Sequence, residues 1–146
     1  MKLLQILIFI IFFVSNCYPK KCENSTIKID EIVLDKMYEH DIEYCTLVNN
    51  SLKGDKLSFK EIIFLDVNFL DGESAYLHSY YIYIITKKLG GNHVSILLKD
   101  LSENELKSYY SILNSGIHYE NINKNIKNEF PKLYKELWKN KNPINN

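Results

Sequence analysis

Residues 71–91 read DGESAYLHSYYIYIITKKLGG, and whether they form a helix or a strand decides the fold class. Tyr80 to Ile85 is a run of aromatic and β-branched residues, which by propensity alone suits a strand. Three features favour a helix. Apolar and aromatic side chains extend from Ala75 to Leu89, well past the length of an ordinary strand. Lys87 and Lys88 fall in what would be the last turn, against the negative end of the helix dipole. Gly90-Gly91 then ends the pattern. Asp71 is placed to cap the start. A helix apolar on most sides packs at the centre of a bundle, so other helices are expected around it.

Helix punctuation recurs outward in both directions. Ser58-Phe59-Lys60-Glu61 has the form of a capping box opening FKEIIFLDVNFL, and Ser102-Glu103-Asn104-Glu105 has the same form. The second box opens a helix with Leu106, Tyr109, Tyr110 and Leu113 on one stripe, and Gly116 is placed to end it. Asp30 or Glu31 begins another helix, with a second piece from Asp41 to Leu52. Asn92 can cap a short helix through Leu98. Pro131 opens KLYKELWKN, which offers Leu133, Leu137 and Trp138 for docking. Residues 114–128, rich in asparagine and lysine, read as a long mobile connection, and the tail after Asn140 as frayed. With no convincing strand pair, the expectation is an all-α, irregular bundle of about six or seven short helices.

The chain has 146 residues, enough for one such domain at 29–146. Its 18 basic residues balance its 18 acidic ones, and every basic residue is lysine. Arginine's planar fork is the usual tool for reading phosphates and guanine edges, so nucleic acid is not an expected partner.

The N-terminus has a different character. Met1-Lys2 is followed by the apolar run Leu3 to Val14, which as a helix spans about 18 Å against about 30 Å of bilayer hydrocarbon. A cleaved signal peptide over residues 1–16 fits better than a permanent span. Val14-Ser15-Asn16-Cys17 resembles the lipobox of bacterial lipoproteins, with Val and Asn replacing the commoner Leu and Gly or Ala. The resemblance covers residues 1–17 alone. It implies that Cys17 becomes the mature N-terminus, carries a diacylglycerol thioether and anchors the protein to a membrane. Three cysteines in an exported chain leave one odd thiol. If Cys17 takes lipid, Cys22 and Cys45 remain as an even pair, whose loop closure is worth about 3 kcal/mol. Cys17 with Cys22 is the alternative pairing, and Cys45 as a buried thiol another. Residues 18–28, YPKKCENSTIK, are polar, show no helical period and suit a tether following the lipidated Cys17.

Few residues point to chemistry. His40, His78, His93 and His118 lack a second ligand at helical spacing, and no metal or cofactor motif occurs. Glu39-His40-Asp41 reads as solvated surface and His78 as a hydrogen-bonded core residue. Asp66, Asp71 and Glu73 surround a glycine but lack the ligand order of a calcium loop. Eleven tyrosines are the notable compositional feature. Tyrosine offers rigid, amphipathic contact area, and Tyr76, Tyr80, Tyr109 and Tyr110 are expected to border a groove between the two central helices.

Together these features lead to the expectation of a lipid-anchored, non-catalytic helical protein. It would lie on the periplasmic side of a bacterial envelope, with the outer membrane favoured because Tyr18 rather than aspartate follows Cys17, and it would bind another protein. In size, address and helical pattern it is similar to small immunity proteins that neutralise periplasm-acting toxins. The alternative is a small envelope enzyme or glycan-binding module using acidic residues near Asp71.

Overall fold

The stretch 71–91 is helical, and the computed structural model, which describes Cys22 and residues 25–138, is all-α. Eight helices form among the described residues: α1 (Glu31–Glu39), α2 (Tyr44–Leu52), α3 (Lys56–Ile63), α4 (Gly72–Leu89), α5 (Gly91–Leu97), α6 (Glu103–Glu120), α7 (Ile126–Glu129) and α8 (Pro131–Leu137). None of them is long and apolar enough to cross a membrane. The signal-peptide, lipobox and C-terminal-tail expectations, up to Lys21 and beyond Trp138, lie outside the described residues.

Helices α4 and α6, of 18 residues each, are the centre of the structure. Helix α4 buries Leu77, His78, Tyr81, Ile82, Tyr83, Ile85 and Thr86 around most of its circumference, because it is covered on several sides. On one side lies α6, whose inward stripe is Leu106, Tyr109, Leu113, Gly116 and Ile117. The Thr86 hydroxyl donates to the Ile82 carbonyl at 2.8 Å, which leaves it to accept from Tyr109 at 2.9 Å. That pairing, with Gly116 against Ser79, makes the two helices antiparallel. Helices α1 and α2 pack elsewhere on α4, α3 packs on α2, and α8 packs on α5.

Several boundaries differ from those expected, each for a local reason. Helix α3 starts at Lys56 rather than after Ser58: the Asp55 carboxylate accepts from the Ser58 N–H at 2.7 Å. Gly54 just before it holds φ +83°, a left-handed turn that any side chain would strain. The same helix ends at Ile63, short of Leu70, and the Asp66 carboxylate turns the chain by accepting from the Asn68 N–H. Helix α2 begins only at Tyr44, since Asp41 holds φ +56°. The Ser102 capping box is present, with Glu105 Oε2 accepting from the Ser102 N–H at 2.7 Å.

The largest difference is at 114–128. Instead of a mobile connection, α6 runs on to Glu120, and α7 brings the helices among the described residues to eight, where six or seven were expected. Asn125 caps α7 by accepting from the Asn128 N–H at 3.0 Å, and the Ile126 side chain is buried. Gly116 does not end α6. A Cβ there would lie 2.2 Å from the Ser79 carbonyl oxygen and 2.9 Å from Tyr83 Cβ, so glycine serves as the contact between the central helices. Downstream, Leu133, Leu137 and Trp138 are buried, and the indole N–H of Trp138 donates to the Leu106 carbonyl at 3.1 Å.

Candidate functional site

Three places gather chemistry-bearing side chains. The first is the entry of the chain into the bundle. Cys22 and Cys45 are disulfide-bonded, with Cα atoms 5.2 Å apart. The bond ties Cys22, within the expected tether, to the first turn of α2. Ile27 and Ile29 are buried, the Asp30 N–H donates to the Tyr81 hydroxyl at 2.8 Å, and Lys88 donates to Thr26. The chain is therefore docked on the body before residue 29. A depression of about 620 Å³ lies along Cys22 and Ser25 to Glu31.

The second place is His78, which is 1% exposed. Its Nδ1 lies 2.8 Å from the Tyr44 hydroxyl, while Nε2 has no hydrogen-bond partner among the described residues. A protonated ring carries two N–H groups, and a buried N–H without an acceptor is costly. Burial pushes the imidazole from 6.5 down to about 4, and it also pushes the Tyr44 phenol well up. Both groups are thus neutral at pH 7. The consequence is acid sensitivity with a defined sign. Because the folded state disfavours the charged ring, its contribution is complete above about pH 6.5 and is lost as pH falls through about 4. The loss is about 3 kcal/mol. Denaturant titrations across that range should show it, and His78→Gln should flatten it; equal pH slopes in the two proteins would contradict the assignment.

The third place was not anticipated. The Tyr83 hydroxyl lies 2.6 Å from Glu120 and 3.0 Å from Glu129, and Lys87 donates to it at 3.0 Å. Lys124 bridges the same two carboxylates at 3.2 and 3.4 Å. The hydrogen bond from Tyr83, helped by Lys124 and Lys87, holds the Glu120 carboxyl below its ordinary range. Burial and the two carboxylates raise the Tyr83 phenol. The two carboxylates and two ammonium groups cancel in formal charge. This is a clamp joining α4, α6 and α7. Its sequence signal was the spacing of Lys87 from Tyr83 and of Lys124 from Glu120, each four residues apart.

The tyrosine surface is divided by the fold. Tyr109, expected at the edge of a groove, is 0% exposed and spends its hydroxyl on Thr86. No groove separates α4 from α6 there, because Gly116 lets the two helices touch. Tyr110 is half-buried and stands edge-on to Trp138 with centroids 5.3 Å apart, level with the far end of α4. Tyr76 and Tyr80 remain together on α4, one turn apart, and Tyr80 meets Tyr119 of α6 at 5.3 Å between centroids. Tyr76 is 57% and Tyr119 45% exposed.

The expected acidic residues are spread out. Asp71 sits at the N-cap of α4, where the Ser74 hydroxyl accepts from its N–H and donates to its carbonyl. Glu73 is exposed in the first turn, and Asp66 belongs to its own turn. His40 stacks on Phe69, His93 adjoins Gly54 and His118 is exposed. Among the described residues no three His, Cys, Asp or Glu side chains are gathered to hold a metal ion. A second depression, of about 500 Å³, lies between the α4–α5 turn and the start of α8. No family model, curated protein or solved structure matches the chain.

Proposed function

We propose that the protein is a lipid-anchored, non-catalytic module of a bacterial envelope that binds another protein, with Cys17 as the lipid attachment site. The observation that supports this most is the Cys22–Cys45 disulfide. Stable disulfides belong to oxidising compartments. This one uses two of the three cysteines and leaves Cys17, directly after the lipobox-like Val14-Ser15-Asn16, as the odd thiol. Lipid there places the body close to a membrane, since only Tyr18 to Lys21 separate Cys17 from the disulfide. The exposed tyrosines on α4 and α6 supply an amphipathic surface of the kind enriched at protein interfaces. An immunity protein against a toxin acting in the periplasm is the form of this function that agrees with its size and address.

Metabolic labelling tests the anchor. The wild-type protein should sediment with membranes, leave them only on detergent extraction and incorporate radiolabelled palmitate, while Cys17→Ala should incorporate none. A Cys17→Ala variant that still takes up the label would defeat the assignment of the anchor to this residue.

A further inference from the structure

We infer that the end of the bundle built from α5 and the starts of α3 and α8 rests on an anionic lipid surface. Its contacts are Lys53, Lys99, Lys132 and Lys135, with the exposed side chains of Leu57 and Ile96 among them. The inference rests on the membrane-proximal placement proposed above, and it specifies which way the body faces there.

The chain is neutral as a whole, but its charges are sorted. Residues 29–52 and 61–86 hold ten acidic side chains and one lysine, Lys36. Residues 53–60 and 87–138 hold eleven lysines and seven acidic side chains. The fold gathers these segments at opposite ends of α4. At its start Asp71 and Glu73 are exposed, and the stack of His40 on Phe69 brings Glu39, Asp41 and Asp66 to the same end. None of these five carboxylates is in an ion pair among the described residues. At the other end α5 follows through Gly90, and Gly91 lies against Leu133 of α8. Gly54 adjoins His93 of α5, and Lys56 is paired with Asp100, so the start of α3 lies there too.

Charge and apolar exposure together select the occupant. Lys53, Lys99, Lys132 and Lys135 are exposed, and none of them is in an ion pair among the described residues. The acidic groups at this end are largely engaged: Asp100 by Lys56, Glu103 by Lys107, and Asp55 and Glu105 as caps of α3 and α6. With 18 residues, α4 is about 27 Å long. That is about three times the screening length of about 8 Å at physiological ionic strength, so each end acts through its own charge. Leu57 is 77% and Ile96 65% exposed. Protruding aliphatic side chains among lysines suit a lipid interface, where the apolar tips enter the headgroup boundary and the ammonium groups meet anionic headgroups. The acidic end is repelled by the same surface and faces away, which leaves exposed Tyr76 open to a protein partner.

Vesicle co-sedimentation of the mature chain carrying Cys17→Ala tests this, because without lipid only the surface can bind. Three probes are used: vesicles of phosphatidylcholine alone, vesicles containing phosphatidylglycerol, and a hexa-glutamate peptide. The phosphatidylglycerol vesicles should bind the chain and the phosphatidylcholine vesicles should not. Lys99→Gln together with Lys132→Gln should weaken that binding about thirtyfold. Ile96→Ser should weaken it about fivefold, and both variants should keep the thermal melt of the parent. Lys36→Gln, in the acidic half, should bind as the parent does. Equal binding to the two kinds of vesicle, or equal weakening by Lys36→Gln, would overturn the inference. Hexa-glutamate bound where phosphatidylglycerol vesicles are not would also overturn it, and would assign this end to an acidic protein segment. A wild-type protein that takes up no palmitate would remove the anchor alone, since the variant tested here carries no lipid.

Discussion

Gly116→Ala should lower the stability by about 3 kcal/mol, and Gly116→Val by more. The sign is the informative part. In an exposed helix, glycine to alanine gains up to about 1 kcal/mol through helix propensity. Here the added methyl would sit 2.2 Å from the Ser79 carbonyl oxygen, a backbone atom of α4 that cannot swing aside. Relief requires the two longest helices to separate. That would stretch the Tyr109–Thr86 hydrogen bond and the Tyr83 contacts to Glu120 and Glu129. Urea unfolding of the oxidised protein measures the effect, and an alanine variant as stable as wild type would show that the helices do not meet at Gly116.

Trp138→Ala should cost about 4 kcal/mol. The indole is buried, stacked on Tyr109 at 5.7 Å and edge-on to Tyr110 at 5.3 Å. Its N–H satisfies the Leu106 carbonyl. Truncation leaves a cavity against two aromatic rings and removes that donor. Trp138→Phe, which keeps most of the volume but not the N–H, should recover more than half of the loss. The same urea titration reads both variants. A loss below about 1 kcal/mol for alanine would mean that the C-terminal segment docks only loosely.

Gly116 also shows why part of the fold was hidden in the sequence. Read locally, a glycine after an amphipathic stripe ends a helix, and the asparagine-rich residues beyond it suit a loop. Whether a glycine caps a helix or lies under a crossing helix depends on Ser79, a residue 37 positions away in the chain. Ile126 is likewise buried by the fold, which anchors the turn, while the Asn125 cap before it is a local bond to the Asn128 N–H that the asparagine-rich composition concealed. Where the information was local, it was legible. The dipole-compatible lysines and paired glycines around 71–91 identified α4, Ser102 and Glu105 identified the start of α6, and Pro131 the start of α8. Asp55 outcompeted Ser58 as a cap because Gly54 fixes the turn before it, which pattern alone does not reveal.

The abundance of tyrosine was legible in composition, but its placement was not. Tyrosine abundance pointed to a surface, yet the helical period allows either face of α6 to be the inner one along part of its length. The structure puts Tyr109 inside and Tyr119 outside. The carboxylate pair Glu120 and Glu129 was invisible because its meeting point, Tyr83, lies on another helix.

Mass spectrometry of the N-terminal peptide, from protein extracted from native membranes, bears most directly on the chemistry assigned to Cys17. Mature chains should begin at Cys17, carrying a thioether-linked diacylglycerol, with Cys22 and Cys45 still joined. A Cys17 free of lipid, or chains that retain Met1 to Asn16 with all three thiols reduced, would contradict the proposed anchor and the compartment inferred from it.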